Sequence, residues 1–161
     1  ALLEVAPAAI AFHRSDALCA LLSAIVGEPV VPTPPWDESS CSLLRYTAPG
    51  DHIGWHHDHN FYRGRHFTVL LVLENRGRRG LASARLQTRR AGVVREIPTP
   101  PNTLVVFEGA RVFHRVTRLG PDERRTLLSM TFATRTDSSP LQGALRRMKD
   151  VAYFGPRALW T

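Results

Sequence analysis

Lysine is all but missing from this chain. Of 21 cationic side chains in 161 residues, Lys149 is the only lysine, so a formal net charge of +7 and a pI near 10.6 rest on arginine. A basic balance of that size raises the question of a nucleic-acid partner. The arginines are spread along the chain, and the densest groups, Arg76-Gly77-Arg78-Arg79 and Arg89-Arg90, fall at expected loops or strand ends. That pattern reads as coding bias, and nucleic acid is not the expected partner. Cysteine is scarce too: Cys19 and Cys41 cannot form a disulfide framework, which fits a reducing, cytoplasmic setting. No run of 18 apolar residues exists, so no membrane-spanning helix and no membrane partner are expected. The opening ALLEVAPAAIAF has no basic region in front of an apolar stretch, so no secretory leader is expected. No internal repeat and no low-complexity tract is found.

What is present is a 43% hydrophobic chain cut at intervals by proline and glycine. Val5 to Phe12 reads as a strand or an irregular lead-in. The run from Ser15 reads as a helix, with Ser15 or Asp16 as cap, Leu18, Leu21, Leu22 and Ile25 on one side, and Gly27 as stop. Four prolines between Pro29 and Pro35 then impose a loop. Strands are expected over 41–47, 52–58, 66–75, 84–90, 102–109, 112–119 and 124–134, with turns at Ala48–Asp51, Arg76–Gly80 and Gly120–Glu123. The stretch from Ser139 to Tyr153 has helical character, and the ending FGPRALW is apolar enough to dock on the body. Short strands between helical ends predict a mainly β barrel. The expected organisation is a single domain over 1–161: a helical lead-in over 1–40, a barrel core at about 41–135 and a C-terminal helical segment over 136–161.

The chemistry centres on Trp55-His56-His57-Asp58. Side chains alternate along a strand, so His56 and Asp58 point the same way and can grip one ion together. His114, on another expected strand, can supply a third ligand, and a basic residue follows it by ten or eleven positions. Two histidines and one carboxylate with open positions suit non-haem Fe(II) oxygen chemistry. A shifted register would pair His57 with His59 and lose the carboxylate. His13, His52, His66 and Glu74 are read as structural or solvated.

Further spacings carry a family resemblance. Tyr46 stands ten residues before His56. Gly64-Arg65-His66-Phe67-Thr68 follows the carboxylate. Phe107, Gly109, His114 and Val116 match a segment of the form F-x-G-x-x-x-x-H-x-V, and Arg125-Thr126-Leu127-Leu128-Ser129 matches Arg-x-x-x-Ser/Thr. On these residues, between Tyr46 and Phe132, the chain resembles the Fe(II)/2-oxoglutarate-dependent oxygenases, and within them the prolyl-hydroxylase-like branch. The resemblance implies a double-stranded β-helix (jelly roll), Fe(II) and O2, and 2-oxoglutarate as cosubstrate. It implies His56, Asp58 and His114 as iron ligands, with Arg125, Tyr46, Ser129 and, more weakly, Thr68 around the cosubstrate. Arg124 competes with Arg125, because neighbours on a strand face opposite ways. The hydroxyl at Ser129 favours Arg125, and Arg124 stays open. Because Asp58 is present, oxygen insertion is implied and not the halogenation of relatives that lack this carboxylate.

Candidates for reading a substrate are Asn60, Tyr62 and Arg63 in the loop after the metal strand, and Arg111 near the distal ligand. The expected activity is hydroxylation of an unactivated C–H of a small molecule, an amino acid or natural-product intermediate, with succinate and CO2 as co-products. The rivals are a protein side-chain (prolyl-type) hydroxylase and a barrel that binds metal or ligand without turnover. A nucleic-acid demethylase fits poorly, because the second arginine expected six residues after Arg125 is Thr131.

Overall fold

A computed structural model describes residues 6–138, 145 and 148. Its elements are α1 (Pro7–His13), α2 (Asp16–Val26), β1 (Val31–Pro32), β2 (Cys41–Tyr46), β3 (Ile53–His56), β4 (His66–Arg76), β5 (Leu86–Arg90), β6 (Val93–Ile97), β7 (Leu104–Phe107), β8 (Phe113–Val116) and β9 (Arg124–Ala133). The strands form a five-stranded sheet in the order β1-β9-β4-β7, with β2 also pairing β9, and a four-stranded sheet in the order β3-β8-β5-β6. The fold is a mainly β jelly roll of antiparallel pairs. The expected C-terminal helix and docked ending lie outside the described residues, apart from Leu145 and Met148, which are helical.

The residues group into two compact units: 1–42, 60–67 and 130–161 in the first, and 43–59 and 68–129 in the second. In the first, the lead-in departs from expectation. Pro7 to His13 is helical, neither strand nor irregular, with Pro7 in the first turn where its missing N–H is no loss. Ser15 caps α2 by accepting from the Leu18 N–H at 3.3 Å, and Gly27 ends it in the left-handed region. Only Leu18 and Leu22 of the expected apolar side are buried; Leu21 and Ile25 are exposed. A full helical stripe is wider than the surface this helix covers. His13 is a satisfied core residue, with Nε2 3.1 Å from the Thr131 carbonyl and its ring edge-on to Phe132. Neither α1 nor α2 is by itself long and apolar enough to cross a membrane.

The second unit packs Tyr46, Leu70, Leu86, Val116, Leu119 and Leu127 into one core, with Phe107 and Val105 against it. Strand pairing fixes which side chains join that core. Leu86 opposes Val116 and Thr88 opposes His114 across β5 and β8, and His56 opposes His114 across β3 and β8. The side chains of His56, His114 and Thr88 therefore share the inner face with Leu86 and Val116. Strand β6 lies in a proline-punctuated stretch that carries no strong strand signal. It forms because Ala91 and Gly92, both at positive φ, make the two-residue turn that folds 93–97 back on β5.

Candidate functional site

His56 ends β3 and His114 lies within β8, and cross-strand pairing brings their rings together, with centroids 4.2 Å apart and planes tilted by 51°. Asp58 lies two residues beyond β3, not on the strand as expected. It is held instead by its backbone N–H, which donates to the Gly109 carbonyl at 3.0 Å. The ligand atoms of the three residues all lie within 4.8 Å of one another. Asp58 Oδ1 is 3.3 Å from His56 Nε2 and 3.7 Å from His114 Nε2. Ligands sharing one ion at about 2.1 Å and at right angles stand about 3 Å apart, so little movement closes this set on a metal.

The surroundings orient each donor. His56 Nδ1 pairs with the Gly54 carbonyl at 2.9 Å and His114 Nδ1 with that of Val112 at 2.8 Å. A ring whose Nδ1–H is so engaged presents the Nε2 lone pair to the ion. The Thr68 hydroxyl donates to Asp58 Oδ2 at 2.5 Å, which leaves Oδ1 facing the histidines. Burial alone would raise the Asp58 carboxyl, but bonds from His56 and Thr68 and the nearby imidazoles hold it at about 2. Burial lowers His114, against the pull of its Val112 bond. The bond to Asp58 raises His56, partly offset by burial. A carboxylate and a neutral imidazole are the forms that ligate.

Gly109 shows why the spacing before His114 matters. A methyl group built on it would lie 2.5 Å from Asp58 Cβ and closer still to Oδ2. The carboxylate occupies the space that any other residue's side chain would fill.

A second polar cluster in the same unit is unsatisfied. Arg125 is fully buried on β9, whereas Arg124 is exposed, which resolves the register between them. None of the Arg125 nitrogens, nor the Tyr46 hydroxyl, has a hydrogen-bond partner among the described residues. The two side chains lie together, with the guanidinium 5.4 Å from the Tyr46 ring centroid. Burial lowers the arginine and raises the tyrosine from their ordinary values, each partly offset by the other. An isolated buried charge costs several kcal/mol. A planar fork with no acceptor and a neighbouring hydroxyl fit a carboxylate that binds in two-pronged fashion. Ser129 follows on the same strand, half-buried.

The loop candidates turn out differently. Asn60 Nδ2 donates to the Gly64 carbonyl at 2.8 Å, and its Oδ1 accepts from the Tyr62 N–H at 2.9 Å. Tyr62 is buried and donates to Asp37 Oδ2 at 2.6 Å. Arg63 pairs with Asp137 at 3.8 Å. All three are thus engaged within the first unit, Asn60 and Tyr62 by hydrogen bonds and Arg63 by a surface ion pair. The loop's local composition gave no sign of Asp37 or Asp137, which are distant in sequence. Arg111, by contrast, lines a cavity of about 650 Å³ beside His114, together with Thr88, Arg90 and Phe107. Sequence reasoning missed Thr88 in this role. Its alternating strand was legible, but the pairing of β5 with β8 was not.

A family model described as 2OG-Fe(II) oxygenase superfamily matches residues 41–132. Among solved structures, a Pseudomonas putida prolyl-4-hydroxylase is 26% identical, with a TM-score of 0.50 over 62% of this chain and 53% of its own. AviO1 from Streptomyces viridochromogenes Tue57 is 19% identical, with a TM-score of 0.59 over 78% of this chain and 60% of its own. An oxidoreductase of the 2OG-Fe(II) oxygenase family from Burkholderia pseudomallei is 16% identical, with a TM-score of 0.61 over 80% and 56%. The last two show the fold alone. The chain spans little more than half the length of these structures. No curated protein sequence matches it.

Proposed function

Because the chain belongs to the 2OG-Fe(II) oxygenase superfamily, we propose that it is an Fe(II)- and 2-oxoglutarate-dependent dioxygenase that hydroxylates an unactivated C–H bond of a small molecule, an amino acid or natural-product intermediate. His56, Asp58 and His114 hold the iron in this reading, and Arg125 with Tyr46 binds the distal carboxylate of 2-oxoglutarate. Bound Fe(II), with O2 and the cosubstrate, supplies the oxidising power that places one oxygen atom in the substrate and the other in succinate, with release of CO2.

The chain's own residues do the positioning. The two histidines present Nε2, Asp58 presents Oδ1, and Thr68 keeps the other oxygen turned away. Thr68 thus serves Asp58 in this reading. An ion held by these three residues alone would keep positions for cosubstrate and O2. The observation that carries the reading is the buried Arg125 guanidinium, which has no partner among the described residues. Bare metal binding has no need of it, whereas a dicarboxylate cosubstrate does. A cavity of about 650 Å³ beside His114 falls in the range of small-molecule sites and supports a metabolite over a peptide.

The test is to add Fe(II) and 2-oxoglutarate without oxygen and record the visible spectrum. A weak charge-transfer band is expected, and His114→Ala removes it. No band in folded protein overturns the reading in favour of a binding barrel. The likeness to a prolyl-4-hydroxylase favours a second reading, a protein side-chain hydroxylase. Turnover confined to peptides in a mixed screen would select it.

A further inference from the structure

The cavity beside His114 carries a charge pattern that bears on the substrate. It is lined by three arginines, Arg89, Arg90 and Arg111, and by no carboxylate. The three differ in what already engages them. Arg89 stacks on the rings of Trp55 and Phe113, at 5.0 and 4.7 Å. Arg111 stands 3.5 Å from Glu108 at the surface. The Arg90 side chain has no hydrogen bond or ion pair among the described residues.

Register places Arg90 with respect to the metal ligands. Thr88 is the cross-strand partner of His114, so their side chains are neighbours on the inner face. Arg90 lies on that face two residues further on, a rise of about 7 Å toward the Ala91-Gly92 turn. On the other side of Thr88 along β5 is buried Leu86, and Ile97, Val105 and Phe107 complete an apolar floor. From floor to rim, the inner side of β5 thus runs from apolar through a hydroxyl to a cation.

We propose that this cavity takes a substrate with one anionic group and an apolar body, the anion held at Arg90 with Arg111 beside it and the body lying over Leu86, Val105 and Phe107. Thr88 then stands between the two parts, next to His114, where it fixes which carbon faces the metal. The inference rests on the dioxygenase reading for the chemistry that follows binding, but the binding itself is separable from it. A free carboxylate and a phosphate monoester present the same chemistry to Arg90. A neutral peptide side chain does not.

The test measures affinity by calorimetry, without oxygen, on protein loaded with Fe(II) and saturated with 2-oxoglutarate so that Arg125 is not available to the probe. The probes are hexanoate, hexyl phosphate and the uncharged hexanamide. At least one anionic probe is expected to bind ten-fold or more tightly than the amide, and Arg90→Gln to bring them within about two-fold. Arg124→Gln, an exposed arginine on β9, is expected to leave the ratio unchanged. Equal affinities in the parent, no binding of either anion, or a preference that survives Arg90→Gln overturns the proposal. The relative affinities of hexanoate and hexyl phosphate identify the favoured anion. The same titration on metal-free protein with 2-oxoglutarate present keeps the two readings apart. A charge preference there without the visible band sinks the dioxygenase reading alone, and a band without the preference sinks this one alone.

Discussion

The loop 59–65 and the Tyr46–Arg125 pair are both polar clusters with buried members, and they resolve that polarity in opposite ways. In the loop, Asn60 closes on Gly64, Tyr62 on Asp37 and Arg63 on Asp137. In the pair, a guanidinium and a hydroxyl are buried with no partner among the described residues. A buried polar group left unmatched is costly, so a fold keeps one where something else completes it. The closed cluster is architecture and the open one points to a ligand. Two glycines repeat the contrast. A methyl on Gly64 would meet the Arg135 backbone N at 2.5 Å and Thr134 Oγ1 at 2.6 Å, whereas one on Gly109 would meet the Asp58 carboxylate. One glycine admits backbone packing and the other admits the Asp58 carboxylate.

The largest expected effect separates the glycines. Gly109→Ala displaces Asp58 and is expected to lower Fe(II) affinity by about 10–100-fold. Gly64→Ala is expected to lower stability by about 1–3 kcal/mol while folded molecules keep their metal affinity. Denaturant melts alongside metal titrations read both, and equal losses of metal affinity would erase the distinction. Next comes Arg125→Met. Removing an unmatched buried charge is expected to leave cosubstrate-free stability unchanged or raise it, by up to about 4 kcal/mol. It is also expected to abolish the thermal shift that 2-oxoglutarate gives the parent. A loss of more than 3 kcal/mol would mean that Arg125 is architecture after all. The smallest effect is that of Tyr62→Phe. It removes the donor to Asp37 and is expected to cost about 1–3 kcal/mol, with the cosubstrate requirement unmoved. A changed KM for 2-oxoglutarate would return the loop to the site.

Much of the site was legible because its determinants are local or evenly spaced. Strand alternation brings His56 to one face, and the match of Tyr46, Gly109, His114 and Arg125 to a family pattern names the rest. Loop polarity misled for the reason that makes it common: Asn60 and Tyr62 look available until Gly64 and Asp37 are seen beside them. The lead-in misled as well, because PAAIAFH has no polar cap and too few turns to show a helical period, yet it folds as α1.

The sequence by itself determined the spacing of the three candidate ligands, the mainly β class, the Gly27 stop of α2 and the turns, since each depends on residue type at short spacing. Only the tertiary structure decided that Arg125 and not Arg124 is buried. It also decided that Asp58 reaches the histidines from beyond its strand and that Thr68 and Gly109 hold it in place. Thr88 and Arg90 face the cavity for the same kind of reason. Each of these depends on which strands pair and in what register, and register is set by packing a whole face at once.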